Sequence, residues 1–311
     1  MSDNFFCILP WMHLYIHPTG DVRTCCVGKE SVGNTKLKPL EQSWNSPELK
    51  KIRQDLLNGD IPSNCEWCQF SEEHTGSSMR HQSNNKFKTQ IDELVPLTNQ
   101  DGSLNNFELQ YIDLRFNNRC NFKCRTCSSE FSSAIAYEQD QSSVIYPGST
   151  TTDLDEQIIE QIPYLKRLYI AGGEPLIQKN HYELLEHLIN NNRTDVELMY
   201  STNLSLLVYK GKSVLDYWKQ FNTVEINASI DGWKEGLEYW RKGANWDNIV
   251  TNVNLIKNET PHIRLGISPT VGWPNLWNLL DFIDFCVETN FIDYTNIHIN
   301  ILRNPLIYSV T

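Results

Sequence analysis

The amino-acid sequence predicts an α/β fold in which a partial barrel of six βα units follows a small cysteine-rich domain. Three observations support this class: six strand-like segments that alternate with helical patterns, strands with a polar residue at every second position, and eight of nine cysteines within the first 127 residues. Strands that alternate with helices favour a parallel sheet with right-handed crossovers. Six units make a partial barrel rather than a closed one of eight.

The chain of 311 residues divides at a polar segment. Residues 1–87 contain five cysteines and form the predicted small domain. Residues 88–107 are polar and end in glycine, serine and asparagine, which is typical of a linker. Residues 108–311 form the predicted barrel. The last predicted strand lies close to Thr311, which leaves open whether a closing element follows it.

Each barrel strand is predicted from a β-rich segment between helical patterns. The six predicted strands are 108–117, 166–171, 195–201, 223–231, 262–270 and 294–302. Two of the intervening helices have apolar residues at helical spacing on one face. These faces consist of Leu184, Leu185, Leu188 and Ile189 in one helix, and of Leu276, Leu279, Leu280 and Ile283 in the other.

Several strands alternate polar and apolar residues, which is unusual for strands buried on both faces of a parallel sheet. We expect the apolar set to pack against the outer helices and the polar set to line the lumen. A polar lumen suits a substrate and its cofactor rather than a close-packed core. The polar set consists of Asp113, Arg115, Glu225, Asn227, Ser229, Asp231, His298 and Asn300. Candidates for substrate contact are Asp113, Glu225, His298 and Asn300.

The composition excludes some function classes. The formal net charge is -11 and no basic block occurs, so neither tight non-specific nucleic-acid binding nor binding to anionic membranes is expected. No secretory signal pattern and no run of about 20 apolar residues is present, so we expect a cytoplasmic protein. In that compartment, clustered cysteines indicate metal ligands before disulfides, and their odd number argues against complete pairing.

Three cysteines, Cys120, Cys124 and Cys127, follow the first predicted strand directly with the spacing CxxxCxxC. Three thiolates from one loop can bind three irons of a cubane cluster and leave the fourth iron without a protein ligand. An open coordination site is typical of catalytic metal centres, whereas structural sites are closed. The loop also lies at the C-terminal end of a barrel strand, where barrel active sites lie. A zinc loop is the alternative, although zinc sites commonly use four ligands.

A second motif, Ala171-Gly172-Gly173-Glu174-Pro175, ends the next predicted strand. Two glycines let the backbone approach a ligand closely, and Glu174 can accept hydrogen bonds from an ammonium group. Alone, this sequence indicates only a turn between strand and helix. One βα unit after a three-cysteine loop, it indicates a binding site.

These two motifs resemble the signature of the radical S-adenosylmethionine (SAM) superfamily, which has CxxxCxxC after the first barrel strand and GGE after the second. The resemblance covers roughly residues 108–304 and implies a TIM-like partial barrel. It implies a 4Fe–4S cluster on Cys120, Cys124 and Cys127, with SAM bound to the fourth iron. Reduction of that cluster, by an electron donor such as flavodoxin or ferredoxin, would cleave SAM to methionine and a 5′-deoxyadenosyl radical. That radical abstracts a hydrogen atom from the substrate.

The resemblance also implies residues that contact SAM. Candidates for its amino group are Gly172, Gly173 and Glu174. Candidates for its ribose or carboxylate are Ser201 and Asn203, and candidates for its carboxylate are Ser229 and Arg241. The residue before the last cysteine of the loop is often aromatic in the family and packs near adenine. Here it is Thr126, so adenine must be held by other groups.

In the N-terminal region, Cys7 is followed after twelve residues by Gly20, and Gly20 after four by Cys25. The pattern, with a later pair at Cys65 and Cys68, resembles the SPASM/twitch extensions of radical SAM enzymes. It implies a twitch-like domain with a second, auxiliary 4Fe–4S cluster on Cys7, Cys25, Cys65 and Cys68, for which Cys26 competes with Cys25. A four-cysteine zinc site is the alternative. These extensions usually follow the barrel, whereas here the pattern precedes it.

The resemblance therefore implies an enzyme that uses SAM to modify a peptide or protein. The alternatives are a radical SAM enzyme that acts on a carbohydrate, a nucleotide or another small molecule, and a non-catalytic protein that binds zinc or an iron–sulfur cluster. Two further features are interpreted from composition. Cys286 is expected in the core of an apolar helix face, and residues 78–85 are a candidate cover for the barrel mouth.

Overall fold

The structure is a computed structural model that describes residues 5–139, 145, 153–303 and 305–310. It contains two compact units. The first comprises Met1–Leu114 and Pro147–Lys166, and the second comprises Arg115–Tyr146 and Arg167–Thr311. Of the helices in the described ranges, none has the length and apolar character needed to cross a membrane.

The elements are numbered along the chain. The strands are β1 (His13–Ile16), β2 (Asp21–Arg23), β3 (Gly33–Asn34), β4 (Tyr111–Leu114), β5 (Lys123–Cys124), β6 (Arg167–Ile170), β7 (Glu197–Thr202), β8 (Val208–Tyr209), β9 (Lys212–Ser213), β10 (Val224–Ala228), β11 (Arg241–Lys242), β12 (Arg264–Ile267), β13 (Thr270–Val271) and β14 (Asn300–Ile301). The helices are α1 (Leu40–Trp44), α2 (Pro47–Asn58), α3 (Glu66–Thr75), α4 (Met79–Lys86), α5 (Lys88–Leu94), α6 (Ser133–Glu138), α7 (Leu154–Glu160), α8 (Lys179–Asn190), α9 (Val214–Trp218), α10 (Lys234–Trp240), α11 (Trp246–Glu259) and α12 (Leu276–Thr289).

In the first unit, the N-terminal residues share a sheet with the first predicted barrel strand. Strand β1 pairs in parallel with β4, with Tyr15 opposite Asp113, and antiparallel with β2, which pairs with β3. All four residues of β1 are buried, as expected for a strand covered on both faces. The cysteine-rich region is therefore built onto β4 rather than set apart from it.

The segment 88–107, which was predicted as a linker, makes hydrogen bonds within the first unit. It contains α5 and is fastened to the first unit, because Trp11 Nε1 donates to Thr98 Oγ1 at 2.7 Å and Trp44 Nε1 donates to the Asn106 carbonyl at 2.9 Å. Polar groups of this segment thus bond to the buried side chains of Trp11 and Trp44. The domain boundaries 1–87, 88–107 and 108–311 remain a prediction.

In the second unit, β6, β7, β10 and β12 pair in parallel in that order, with helical crossovers between them. This arrangement is the predicted α/β architecture. Val224, Ile226 and Ala228 of β10 are buried while the alternate residues are half-buried, so the polar and apolar alternation is confirmed there. Leu184, Leu185 and Leu188 are buried on α8, as predicted, while Ile189 is half-buried.

The sixth predicted strand, 294–302, is mostly not a strand. Residues 294–296 form a short 3-10 helix, Ile297 forms an isolated parallel bridge with Ile267, and β14 pairs with β13. His298 and Asn300 are exposed rather than set in a lumen, and so are the apolar Ile299 and Ile301. The alternation predicted a strand with a buried apolar face over 294–302, which is wrong, because the apolar side chains of Ile299 and Ile301 are left exposed.

Helix α12 buries a different face from the predicted one. Leu279 is buried as expected, but Leu276 and Leu280 are exposed, and the buried face continues through Phe282 and Cys286. This helix is apolar on several sides, so periodicity allowed more than one choice. The aromatic contacts of Phe282 with rings of neighbouring segments decide it, and Cys286 lies in the core as predicted.

Candidate functional site

A cavity of about 610 Å³ in the second unit collects every residue predicted for the catalytic cluster and SAM. Its volume lies within the range of small-molecule sites, about 300–1,000 Å³. The predicted residues that line it are Cys120, Cys124, Cys127, Gly172, Gly173, Glu174, Ser201, Asn203, Ser229 and Arg241. Thr126, the residue found in place of an aromatic one, lines it as well.

The three-cysteine loop is fixed by strand pairing and by hydrogen bonds. Its strand β5 pairs antiparallel with β11, which puts Cys124 opposite Arg241. Within the loop, the Cys127 amide donates to the Cys124 carbonyl at 3.1 Å. The Ser132 hydroxyl donates to the carbonyl of the buried Phe122 at 2.8 Å. These bonds present the three thiols to one cavity from a single loop.

Burial dominates the ionisation of these thiols. It raises the pKa of Cys120 and Cys124, and it raises the pKa of Cys127 to about 11. The positive charge of Arg241 opposes the effect of burial at Cys124, and its Nη1 lies 3.7 Å from the Cys124 sulfur. A buried thiol becomes a thiolate only beside positive charge, which a bound iron supplies.

The glycine pair allows β6 to end against the cysteine loop. Gly172 and Gly173 have φ of 75° and 58°, in the left-handed region that favours glycine. A Cβ on Gly173 would lie 2.3 Å from the Arg119 carbonyl oxygen, and one on Gly172 would lie 2.5 Å from Cδ of Arg115. The Glu174 amide donates to the Arg119 carbonyl at 2.8 Å, so the turn is joined to the residue before Cys120.

The Glu174 carboxylate connects this turn to the end of β7. It is 2% exposed and accepts hydrogen bonds from Thr202 Oγ1 at 2.6 Å, from the Asn203 amide at 2.7 Å and from the Leu176 amide at 3.1 Å. Burial raises the pKa of this carboxyl, and these hydrogen bonds act in the opposite direction. Glu174 therefore shapes the cavity wall in addition to lining it.

Arg241 is held by a carboxylate that the sequence had suggested only as a lumen residue. Its Nε lies 2.6 Å from Oδ2 of the fully buried Asp231, and its Nη2 donates to Asp231 Oδ1 at 2.9 Å. Asp231 also accepts from the Thr270 amide at 2.7 Å. Burial acts to lower the pKa of Arg241, but the charges of Asp231 and the nearby thiols outweigh it and raise that pKa above its ordinary value. The positive charge is therefore fixed between Asp231 and Cys124.

The remaining predicted residues lie at the ends of β7 and β10. The Ser201 hydroxyl is 2.7 Å from the Tyr169 hydroxyl, and Asn203 Nδ2 donates to Asn121 Oδ1 at 3.0 Å. The Ser229 amide donates to the Thr202 carbonyl at 2.8 Å. Sequence reasoning missed Tyr169, Thr202 and Asn121, because no motif marks the partners of polar residues. The alternation along β6 and β7 is the one signal that could have suggested Tyr169.

A second cavity, of about 20 Å³, lies within the first unit and is lined by Cys7, Cys25, Cys65 and Cys68. Burial raises the pKa of Cys25 and Cys65 to about 12 each. Burial and the three nearby thiols raise the pKa of Cys7. Cys26 is exposed, is absent from this lining, and has its sulfur 3.9 Å from the Met79 sulfur. The structure thus brings Cys25, rather than Cys26, to the other three cysteines.

The donor sets of both cavities suit iron–sulfur clusters. One offers three thiols and a large open volume, and the other offers four thiols around a small one. Three thiolates leave an iron open for a further ligand, whereas four close the cluster. In the described ranges, no three or more His, Cys, Asp or Glu side chains converge on a site for a single metal ion.

Comparison with known families agrees with this geometry. The model of the radical SAM superfamily matches residues 114–286. The chain belongs to the radical SAM superfamily. The model of SPASM, an iron-sulfur cluster-binding domain, matches residues 7–69, which places that domain ahead of the radical SAM domain. The cofactors of this radical SAM protein are therefore SAM and 4Fe–4S clusters.

Curated relatives match part of the chain. A GTP 3′,8-cyclase of Campylobacter lari is 27% identical over 131 residues, which is 42% of this chain and 37% of that protein. A GTP 3′,8-cyclase of Staphylococcus haemolyticus is 25% identical over 232 residues, which is 62% of this chain and 64% of that protein. The chain thus spans less than two thirds of the length of these relatives.

Among solved structures, anSMEcpe with bound AdoMet is similar at 17% identity and a TM-score of 0.46. The match covers 60% of this chain and 50% of that one. This is a loose likeness of the backbone.

Proposed function

We propose that this protein is a radical SAM enzyme whose catalytic cluster is bound by Cys120, Cys124 and Cys127. The observation that carries the proposal is the single cavity shared by these cysteines and the predicted SAM residues. Bound there, the cluster and SAM would supply reductive cleavage of SAM and a 5′-deoxyadenosyl radical that takes a hydrogen atom from the substrate. The protein positions these groups and excludes water.

The chain's own groups would hold SAM around that cavity. The backbone at Gly172 and Gly173 has no side chain in the way of the amino group, and Glu174 keeps the turn in place. Oε2 of Glu174 accepts the Asn203 amide and has a further lone pair for an ammonium group. Arg241 would offer positive charge to the SAM carboxylate while Asp231 holds it. Ser201 and Asn203 would contact the ribose or carboxylate, and Ser229 would contact the carboxylate.

The auxiliary cluster would be held by Cys7, Cys25, Cys65 and Cys68. This assignment rests on the four thiols that line one small cavity and on the exposed position of Cys26. With four thiolates, this cluster has no open iron, so we propose a role in electron transfer, in folding of the N-terminal domain, or in both.

A peptide or protein is our first choice of substrate. The support is the SPASM domain, an extension common among enzymes that modify peptides or proteins. The electron for SAM cleavage would come from a donor such as flavodoxin or ferredoxin. The cytoplasmic location expected from the sequence remains a prediction.

A nucleotide is the second candidate substrate. One observation favours it: the relatives found by sequence are named GTP 3′,8-cyclases. An identity of 25–27% over part of each chain is too low to show that this protein has the same substrate. Calorimetric titration of the reconstituted protein with GTP separates the two candidates. Saturable GTP binding would favour the nucleotide, and its absence would favour a peptide.

The assignment of the catalytic cluster is tested by Cys124→Ala. We expect the variant to lose dithionite-driven formation of 5′-deoxyadenosine but to keep about four irons on the N-terminal cysteines. Cys286→Ala is the matched control, because Cys286 is buried in the core of α12 away from both cavities. Cleavage that persists in Cys124→Ala would show that the catalytic loop is assigned wrongly.

A further inference from the structure

Helix α4 holds the chain around Cys7. The helix begins after Ser78, whose hydroxyl accepts from the His81 amide. Asn84 on this helix accepts from the Ile8 amide at 2.9 Å and donates to the Phe6 carbonyl at 2.8 Å. The two residues that flank Cys7 are therefore both fixed by one side chain. The segment 78–85, which composition suggested as a cover for the barrel mouth, here supports the four-cysteine cavity.

Arg80 on the same helix completes this support. Its Nη1 donates to the Phe6 carbonyl at 3.0 Å, and its guanidinium carbon lies 4.3 Å from the centre of the Phe5 ring. Glu72 of α3 holds the other side in a bidentate pair, with Nε to Oε1 at 2.8 Å and Nη2 to Oε2 at 2.6 Å. Ser78 Oγ donates to the same carboxylate at 2.5 Å. Planar pairs of this kind fix the orientation of a guanidinium.

The pair is oriented with its positive end toward the cysteines. Arg80 lines the four-cysteine cavity and is 7% exposed, whereas Glu72 is not among the lining residues. In the described part of the chain, Arg80 is the one charged side chain in that lining. Burial raises the pKa of Cys65 to about 12, and the nearby charge of Arg80 acts in the opposite direction.

A cubane cluster on four thiolates carries net negative charge, and one-electron reduction makes it more negative. A fixed cation beside it stabilises the reduced form more than the oxidised form, because the attraction grows with the charge and is screened weakly in a buried site. Net charge and hydrogen bonds around a cluster are among the factors that set its reduction potential. The geometry of Arg80 meets both conditions, burial and fixed orientation.

We propose that the positive charge of Arg80 raises the reduction potential of the auxiliary cluster, and that Glu72 is the positioning residue that orients Arg80. This inference rests on the proposed cluster at Cys7, Cys25, Cys65 and Cys68. A raised reduction potential makes the auxiliary cluster easier to reduce, which suits a centre that takes one electron from a low-potential donor protein. The carboxylate of Glu72 keeps the guanidinium from turning away.

The test uses the full chain with Cys120, Cys124 and Cys127 replaced by alanine, so that only the auxiliary cluster remains. In this background, iron and sulfide are counted and the midpoint potential is measured by redox titration followed by electron paramagnetic resonance. Arg80→Gln should shift the midpoint to a more negative potential. Glu72→Gln keeps an amide oxygen that accepts from Arg80 and holds its orientation, but it removes the negative charge that partly cancels the guanidinium, so it should shift the midpoint to a more positive potential. Arg80→Lys, which keeps the charge, should fall between Arg80→Gln and the parent. Lys51→Gln is the matched control, since it removes one positive charge from an exposed side chain of α2 in the same unit and should change nothing.

The outcomes separate this inference from the proposed function. If the background protein binds no iron, the auxiliary cluster itself is wrong and the inference fails with it. If iron is bound but Arg80→Gln and Lys51→Gln have the same midpoint, the inference is wrong while the cluster stands. Should Arg80→Gln fail to assemble a cluster, Arg80→Lys and Glu72→Gln decide, because a midpoint unmoved in Glu72→Gln would overturn the electrostatic role.

Discussion

At the scale of single residues, the chemistry of the site depends on partners that hold the motif residues in place. Asp231 illustrates this, because it is fully buried and bonded to both Arg241 and the Thr270 amide. A buried ion pair that loses one partner leaves an uncompensated charge, which costs several kcal/mol. Asp231 is therefore expected to be essential for the position of Arg241 beside Cys124.

Asp231→Asn should lower the free energy of unfolding by about 3 kcal/mol, because Arg241 would lose its buried counter-charge. Urea unfolding followed by tryptophan fluorescence measures this. Asp216→Asn is the control in the same unit, since Asp216 is exposed and lies 3.8 Å from Lys219. Equal stabilities of the two variants would contradict the structural role assigned to Asp231.

The residues that line the larger cavity were singled out from sequence motifs, whereas their hydrogen-bond partners were not. Cys120, Cys124 and Cys127 and the glycine pair were predicted from spacing, because each motif lies on one short segment. Partnerships such as that of Glu174 with Thr202, or of Arg80 with Glu72, depend on tertiary contacts. No local pattern encodes which of several polar side chains will meet.

At the scale of elements, the turn after β6 links the SAM residues to the cluster loop. Its glycines are required for two separate reasons, which are the positive φ and the close approach of Arg119 to Gly173. The two reasons can be separated by substituting a glycine that has a positive φ but no close neighbour. Gly211 provides this comparison, because its φ is 81° but no atom lies within 4 Å of its would-be Cβ.

Gly173→Ala and Gly211→Ala should both lose about 1–2 kcal/mol of stability from left-handed strain. Only Gly173→Ala should also displace the loop that begins at Cys120, and we expect SAM cleavage to fall about 100-fold. The rate of 5′-deoxyadenosine formation by the reconstituted variants measures the difference. Similar rates in the two variants would mean that the close approach to Arg119 has no catalytic consequence.

The elements themselves were predicted unevenly, and the errors have one physical origin. The strands that became β6, β7, β10 and β12 were correct because both their pattern and their neighbours favour burial. The sixth predicted strand and the predicted buried face of α12 were wrong. Both segments contain more apolar residues than the described structure buries, and Trp277 and Ile299 are exposed. Periodicity identifies candidate faces, but packing against other segments selects one.

At the scale of the whole molecule, the parallel pairing of β1 with β4 was not predicted from the sequence. That pairing joins residues far apart in sequence, so no local signal could predict it. The presence of two cysteine sets, in contrast, was evident from the sequence, and the two family matches fall on them. The central claim is therefore one catalytic and one auxiliary cluster in a single chain.

The measurement that tests this claim most directly is iron and sulfide content after anaerobic reconstitution, with dithionite-driven SAM cleavage assayed on the same sample. We expect about eight irons per chain and formation of 5′-deoxyadenosine, as two cubanes on cysteine thiolates require. A result of about four irons with cleavage of SAM would support the catalytic cluster and contradict the auxiliary one. Zinc in place of iron, with no cleavage of SAM, would contradict the account.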